Sequence, residues 1–305
     1  MTAPQTASSP TVQAGLFYAI AAYFIWGVVP LFWKQLDFVN SVELVVHRMV
    51  WSFVFVALYL LLKGEWRKLI PYLSDRPLMR RLVAASLLFS SNAAIFIWAV
   101  TNEHVLEASM GYFINPLFNV FFGLLIFGER LRFLQWVAIA SALIGVAYLV
   151  FGFGSVPYVA LSLAITFSSY GVIKKTISIP SAHGMMLETG IVLLPCLVYL
   201  GYLEYAGVGI FGNDVNTSVM LSMGGLITLM PLLLFATAAK MITMTALGIT
   251  QYIGPTLQLI IGVYIFNEPF GTPQQVAFSF IWFGIVIYTL DQIRHGRQRR
   301  KIPMI

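Results

Sequence analysis

Long apolar runs alternate with short polar connections along the whole chain, and ten such runs can be counted: 14–33, 41–62, 81–101, 105–127, 133–151, 156–174, 182–203, 218–239, 244–266 and 273–291. A helix rising 1.5 Å per residue needs roughly twenty residues to cross about 30 Å of hydrocarbon, so each run predicts a membrane-spanning helix. Five fall before a turn at Gly152 to Ser155 and five after it. The two sets are related by sequence. The stretch EASMGYFINPLFNVFFGLLIFGER (107–130) is echoed by LGITQYIGPTLQLIIGVYIFNEP (247–269). Pro116 and Pro255, Gly123 and Gly262, Phe127 and Phe266, and Glu129 and Glu268 match at one offset (255 − 116 = 139; 268 − 129 = 139). Arg48 and Tyr59 of the second run correspond to Glu188 and Tyr199 of the seventh (188 − 48 = 140; 199 − 59 = 140), and Trp26-Gly27-Val28 of the first to Tyr170-Gly171-Val172 of the sixth.

Polar positions inside the duplicated pair fall on one helical face: Tyr112, Asn115, Pro116, Asn119 and Gly123 in the fourth run, and Gln251, Gly254, Pro255, Gln258 and Gly262 in the ninth. Lipid penalises such a face, so it is expected to look into the protein. A single buried carboxamide reads equally well as glue between helices. Two copies of one stripe at one depth favour the walls of a shared cavity. Pro116 and Pro255 interrupt helical hydrogen bonding and predict hinges beside the stripe.

Charge decides how the runs are threaded. Sixteen of the 18 Lys and Arg residues, all but Lys34 and Arg48, lie in alternate connections or the C-terminal segment. Those connections are therefore expected in the cytoplasm, with both termini inside. Because five is odd, the second half must enter the membrane opposite to the first. The predicted fold is thus an all-α polytopic membrane protein of ten transmembrane helices in two inverted five-helix repeats, 14–151 and 156–291. A disordered tail (1–13) precedes them and a basic cytoplasmic tail (292–305) follows. Glu65 to Tyr72 is expected to lie on the membrane surface with Trp66 as an anchor.

Composition narrows the function. With 59% hydrophobic and 10% charged residues and a mean hydropathy of +0.84, the chain is not a soluble domain, and its net charge of +6 reflects loop placement, not nucleic-acid binding. No P-loop, HExxH or GxSxG occurs, and the four scattered histidines and lone Cys196 offer no metal-ligand spacing. Neither an enzyme nor a cofactor or metal site is expected. Ionisable residues inside spans are the remaining chemistry. Glu43 and His47 are neighbours at i, i+4 while Arg48 points about 100° away, which suits a proton-responsive or anion-attracting vestibule or an interfacial anchor. Glu188 reads either as a coupling site or as the counter-ion of Lys174 or Lys175. Asn92, Trp26, Tyr170 and Trp98 complete the candidate cavity lining.

The motifs VELVVHRMVWS (42–52), SNAAIFIWAV (91–100), LEASMGYFINPLFNV (106–120), GERLRFLQW (128–136), YGVIKK (170–175), LETGIVLLP (187–195) and QYIGPTLQ (251–258) resemble the EamA branch of the drug/metabolite transporter superfamily, and within it the RarD-type subfamily. The resemblance implies ten helices in inverted repeats in a bacterial inner membrane. It also implies export of small metabolites or drugs through a cavity lined by helices one, three, four, six, eight and nine. By that helix assignment Tyr112, Asn115, Asn119, Gln251 and Gln258 bind substrate; the chloramphenicol sensitivity in the subfamily's label fixes no substrate. Asn267 departs from the glycine that many relatives carry before the glutamate. Taken together, the expectation is a secondary transporter working by alternating access, with membrane lipids, a small-molecule substrate and protons as the coupling ion for partners, and with pairing to a second copy as a homodimer left open. A flippase of a lipid-linked metabolite, or a receptor or assembly factor that moves nothing, are the alternatives.

Overall fold

In the computed structural model the described residues are 10–102, 104–154, 156–267 and 270–300, and no strand occurs among them. The principal helices are α1 Pro10–Val28, α2 Ser41–Leu62, α3 Arg76–Thr101, α4 Val105–Leu125, α5 Phe133–Phe153, α6 Tyr158–Thr176, α7 Ser181–Tyr205, α8 Val215–Met241, α9 in two pieces (α9a Met244–Gln251 and α9b Ile253–Tyr264) and α10 Thr272–Arg300. Residues 1–9, 301–305 and Glu268 lie outside the described residues, so the predictions made for them do too. Helix α1 already begins at Pro10 and α10 runs on to Arg300, each reaching into a segment predicted as tail.

Local chemistry sets the ends. Asn40 accepts the backbone N–H of Val42 at 2.9 Å, Asp75 that of Leu78 at 3.1 Å and Thr243 that of Ala246 at 3.1 Å, so side chains satisfy donors that the first helical turn leaves free. Asp214 takes the N–H of Thr217 at 2.7 Å, and that bond holds its carboxyl below the usual range. Gly154, at φ +81°, ends α5 in the left-handed region. Gly128 (φ +60°) and Asn267 (φ +55°) occupy equivalent places in the two halves, 139 residues apart (267 − 128 = 139). Asparagine tolerates this conformation, which explains how it replaces the expected glycine.

Prolines account for two departures from the sequence reading. The run 14–33 is not one helix. It breaks after Val28, because Pro30 donates no N–H, and continues as a short helix Pro30–Trp33 and a 3-10 turn Lys34–Leu36. The run 244–266 breaks at Tyr252, where the ring of Pro255 disfavours the helical carbonyl of Gln251. Helix α4, by contrast, continues unbroken through Pro116. Glu65 to Tyr72 forms a 3-10 turn (Trp66–Leu69) entering a short helix (Ile70–Ser74), with Trp66 exposed and Leu69 buried.

Nine helical segments among the described residues are long and apolar enough to cross a membrane. Helix α6 falls short of that measure because it carries Lys174, Lys175 and five Ser or Thr residues, yet it packs against α3, α4 and α8. Large apolar side chains such as Phe17, Leu62, Phe151, Leu194 and Tyr264 are exposed around the bundle, a surface suited to lipid and not to water.

The most extensive helix contacts come in pairs. Contact α4–α6 is matched by α9–α1, contact α1–α8 by α6–α3, and contact α2–α8 by α7–α3, while α2–α7, α4–α9 and α5–α10 map onto themselves when the halves are exchanged. Among the described residues two pairings fail: α6 packs on α8 and α4 on α5, but neither α1–α3 nor α9–α10 has a comparable contact. Small residues permit the closest crossings. A Cβ on Gly225 in α8 would lie 2.3 Å from the Trp51 Cβ and 2.5 Å from its carbonyl carbon in α2, where Ser52 Oγ donates to the Gly225 carbonyl at 2.9 Å. Gly225→Ala is expected to force the two helices apart at a cost of about 1–3 kcal/mol, seen as a lower melting temperature of the purified protein. An unchanged melting temperature would refute this crossing.

Candidate functional site

The paired polar stripe points into the bundle and closes on itself. Asn119 Nδ2 donates to Gln251 Oε1 at 2.8 Å and, at 3.4 Å, to Asn115 Oδ1, which also receives Ser168 Oγ at 2.8 Å. Helices α4, α6 and α9a are thereby stitched at one level. All three amides are buried, and Asn119 Oδ1 has no partner. A Cβ on Gly248 would lie 2.6 Å from the Pro116 carbonyl, so α4 and α9a touch at the matched proline. Asn92 Nδ2 donates to the Leu163 carbonyl (2.9 Å) and to Thr166 Oγ1 (2.8 Å), joining α3 to α6, and Gln258 Nε2 reaches the Trp26 carbonyl (3.1 Å) near the end of α1. Trp26 and Tyr170 enter one aromatic cluster through Phe167 and Phe235, with Tyr170 stacked on Phe235 at 6.1 Å.

Tyr112 behaves differently. It lies within electrostatic range of Arg48, and 43% of its surface is accessible. The structure therefore sorts the predicted cavity residues: Tyr112 is accessible, while Asn115, Asn119 and Gln251 are buried.

The trio at the start of α2 divides in two. Glu43 and His47 are buried, with 3.8 Å between His47 Nε2 and Glu43 Oε1. Glu43 Oε1 accepts the N–H of Ile210 at 2.8 Å, and His47 stacks on Phe211 at 5.0 Å, so this pair holds the α7–α8 connection. Arg48 turns the other way. Its Nε donates to Thr228 Oγ1 on α8 at 2.9 Å, and its guanidinium lies 4.8 Å from the centre of the Trp33 ring. Glu188 is the counter-ion of Lys174, with 2.7 Å between Nζ and Oε1 and both groups buried, and the Tyr170 hydroxyl is 3.4 Å from Oε2. Neither Glu188 nor any other described carboxylate pairs with Arg48.

A set of contacts that sequence reasoning missed gathers at the end carrying the basic loops. Glu129 accepts the N–H groups of Met244 (2.6 Å) and Thr245 (2.9 Å) and the Thr245 hydroxyl (2.6 Å), capping α9a from the other half of the chain. Lys175 donates to the carbonyls of Ala239 and Ile242 at the end of α8, Lys240 to the Ile179 carbonyl at 2.6 Å, and Arg132 pairs with the buried Asp291. Outside the membrane at the same end, Glu65 reaches Lys68 (2.7 Å) and His183 (3.1 Å); the Lys68 bond, with His183 adding to it, lowers the Glu65 carboxyl from its ordinary value. The signal for Glu129 was its recurrence as Glu268, which marked the position without revealing its partner.

An all-helical bundle with buried ion pairs and a lipid-suited surface defines a multi-pass membrane protein. A solved crystal structure 18% identical in sequence shares the fold, with a TM-score of 0.68 over 90% of this chain and 97% of the other. The model of the EamA-like transporter family matches residues 13–151. An "Uncharacterized transporter" of Vibrio cholerae is 38% identical over 97% of this chain and 98% of its own, and "Protein RarD" of Escherichia coli is 37% identical over 95% and 98%. "Uncharacterized transporter YojE" of Bacillus subtilis is 40% identical over 93% and 96%. The chain belongs to the EamA-like transporter family, among its RarD-type members.

Proposed function

We propose that the protein is a secondary transporter of the bacterial inner membrane that exports a small metabolite or drug-like molecule by alternating access. The observation that carries this reading is the unmatched packing of α6 on α8. Helices α6 and α8 pack together while their counterparts α1 and α3 have no comparable contact. Two structurally equivalent halves, one closed and one open, are what an inverted-repeat transporter needs in order to expose one site to each side in turn. A chamber open to Tyr112 and Arg48 belongs to the same reading, and the 43% accessibility of Tyr112 within electrostatic range of Arg48 supports it. Arg48 and Tyr112 each lie seven residues from the start of their helices, roughly 10 Å along at 1.5 Å per residue, at the end away from the basic loops. The contacts of Glu129, Lys174, Lys175 and Lys240 close the opposite end. With the basic loops and both termini in the cytoplasm, this arrangement is an outward-facing state.

Purified protein in sealed vesicles tests the reading. A metabolite and antibiotic panel, with and without an imposed pH gradient, is expected to include solutes that move only when the protein is present. Lipid scrambling without solute movement would replace the exporter by a flippase. Inactivity across the panel would leave a protein that moves nothing.

A further inference from the structure

The Arg48 guanidinium is a membrane-embedded cation whose charge no described carboxylate balances. Its surroundings are otherwise complete. Trp33 covers one face at 4.8 Å, and Thr228 Oγ1 takes Nε at 2.9 Å while donating its own proton to the Gly224 carbonyl at 2.8 Å. The aliphatic stem runs beside Gly224, where a Cβ would meet Trp33 at 3.0 Å and the Arg48 Cγ at 3.7 Å. Arg48 is half-buried. With Nε and one ring face committed, the terminal N–H groups remain for the chamber that also exposes Tyr112.

An isolated cation at this depth is costly, and proteins offset that cost with a partner. Elsewhere this bundle follows the rule: Lys174 has Glu188, Arg132 has Asp291, and Lys175 and Lys240 have backbone carbonyls. Glu43, the acid on the same helix, is spent on the Ile210 N–H and lies beside His47. A planar guanidinium with its stem and one side chain contact fixed is preorganised for two parallel hydrogen bonds to a carboxylate or phosphate.

We propose that Arg48 is the anion-binding residue of the transport site and that the substrate is an organic anion with an aromatic or apolar body, its charged group on Arg48 and its body against Trp33 and Tyr112. The inference rests on the transporter reading above and adds the substrate's chemical class to it. The approach of Trp33 to the guanidinium also gives an optical handle, because a ligand seated there changes indole fluorescence.

The test uses the full chain, purified in detergent and in vesicles, with matched probes: cyclohexylacetate and phenylacetate, phenyl phosphate, and the neutral amides of the two carboxylates. The anions are expected to raise the melting temperature and shift the tryptophan emission, and the amides to do neither. Arg48→Gln should weaken anion binding about 10- to 100-fold, as loss of a charged hydrogen-bond partner does, with Arg48→Lys recovering part of it. Size-exclusion behaviour like that of the wild type shows that each variant is folded. Anions and amides binding alike, no probe binding, or Arg48→Gln binding like the wild type overturns the proposal. Failures separate in the vesicles. Anion binding without movement of any solute retains the site and refutes transport, whereas movement of neutral solutes unaffected by Arg48→Gln retains transport and refutes the anion site.

Discussion

Lys174→Met is expected to be among the most destructive single substitutions in this chain. Lys174 is fully buried, its ammonium is 2.7 Å from a Glu188 oxygen, and Glu188 is buried as well. The pair need not be worth much by itself, since desolvating two charges offsets most of their attraction. Removing one partner is another matter, because it strands a buried carboxylate beside the Tyr170 hydroxyl, with Lys240, the other cation in electrostatic range, already held on the Ile179 carbonyl. A cost of about 3–5 kcal/mol follows, a large fraction of the stability of an ordinary domain. Folded protein recovered from the membrane should drop sharply and its melting temperature with it. Lys174→Met combined with Glu188→Gln should recover most of both, and transport with them, because the double change leaves no charge uncompensated. A single variant as stable as the wild type would show that the pair is not closed. A folded double variant that has lost the pH dependence of transport would return Glu188 to the proton-coupling role.

That choice shows where the sequence was readable and where it was not. The constant offset of 139 between Pro116 and Pro255 made the duplication visible, and the helical spacing of Tyr112, Asn115 and Asn119 identified the inward face of α4, because periodicity and repetition are properties of the string itself. Depth along the helix was readable too, so Arg48 and Glu188 were singled out. What each side chain touches was not. Arg48 and His47 are adjacent in sequence, yet one meets Trp33 and Thr228 and the other Phe211, partners set by how α2 and α8 cross at Gly225. Glu188 carried two readings until α6 placed Lys174 against it. The amides Asn115, Asn119 and Gln251 bond to one another, leaving Asn119 Oδ1 without a partner, which follows from how closely Gly248 lets α9a approach α4. Hydropathy understated α6 because a helix enclosed by protein can afford lysines and hydroxyls that a lipid-facing helix cannot. The break at Tyr252 lies three residues before Pro255, since a proline disturbs the turn ahead of it and not its own position.

Glu129→Ala is expected to open the end that is closed here. The carboxylate is the only described acid that crosses from one half of the chain to cap a helix of the other at this end, and it does so with three bonds to the start of α9a. Hydrogen bonds to a charged group contribute about 1.5–3 kcal/mol each, and the cap also complements the positive end of the helix. Losing all three leaves two backbone donors free, and states that expose them to water gain relative to the closed one. A shift of about 3 kcal/mol changes the ratio of the two states roughly a hundredfold. The protein's one native cysteine, Cys196, can be replaced by alanine so that an introduced thiol reports alone. Ala246→Cys, buried in α9a beside the cap, should then react faster with a membrane-impermeant maleimide in the Glu129→Ala background, by about 10- to 100-fold. Tyr112→Cys, which faces the chamber from the other end, should react more slowly, because opening one end of an alternating-access protein closes the other. The opposite signs separate a conformational shift from simple loosening. If both thiols speed up, Glu129 only holds the bundle together; if neither changes, it is not a latch.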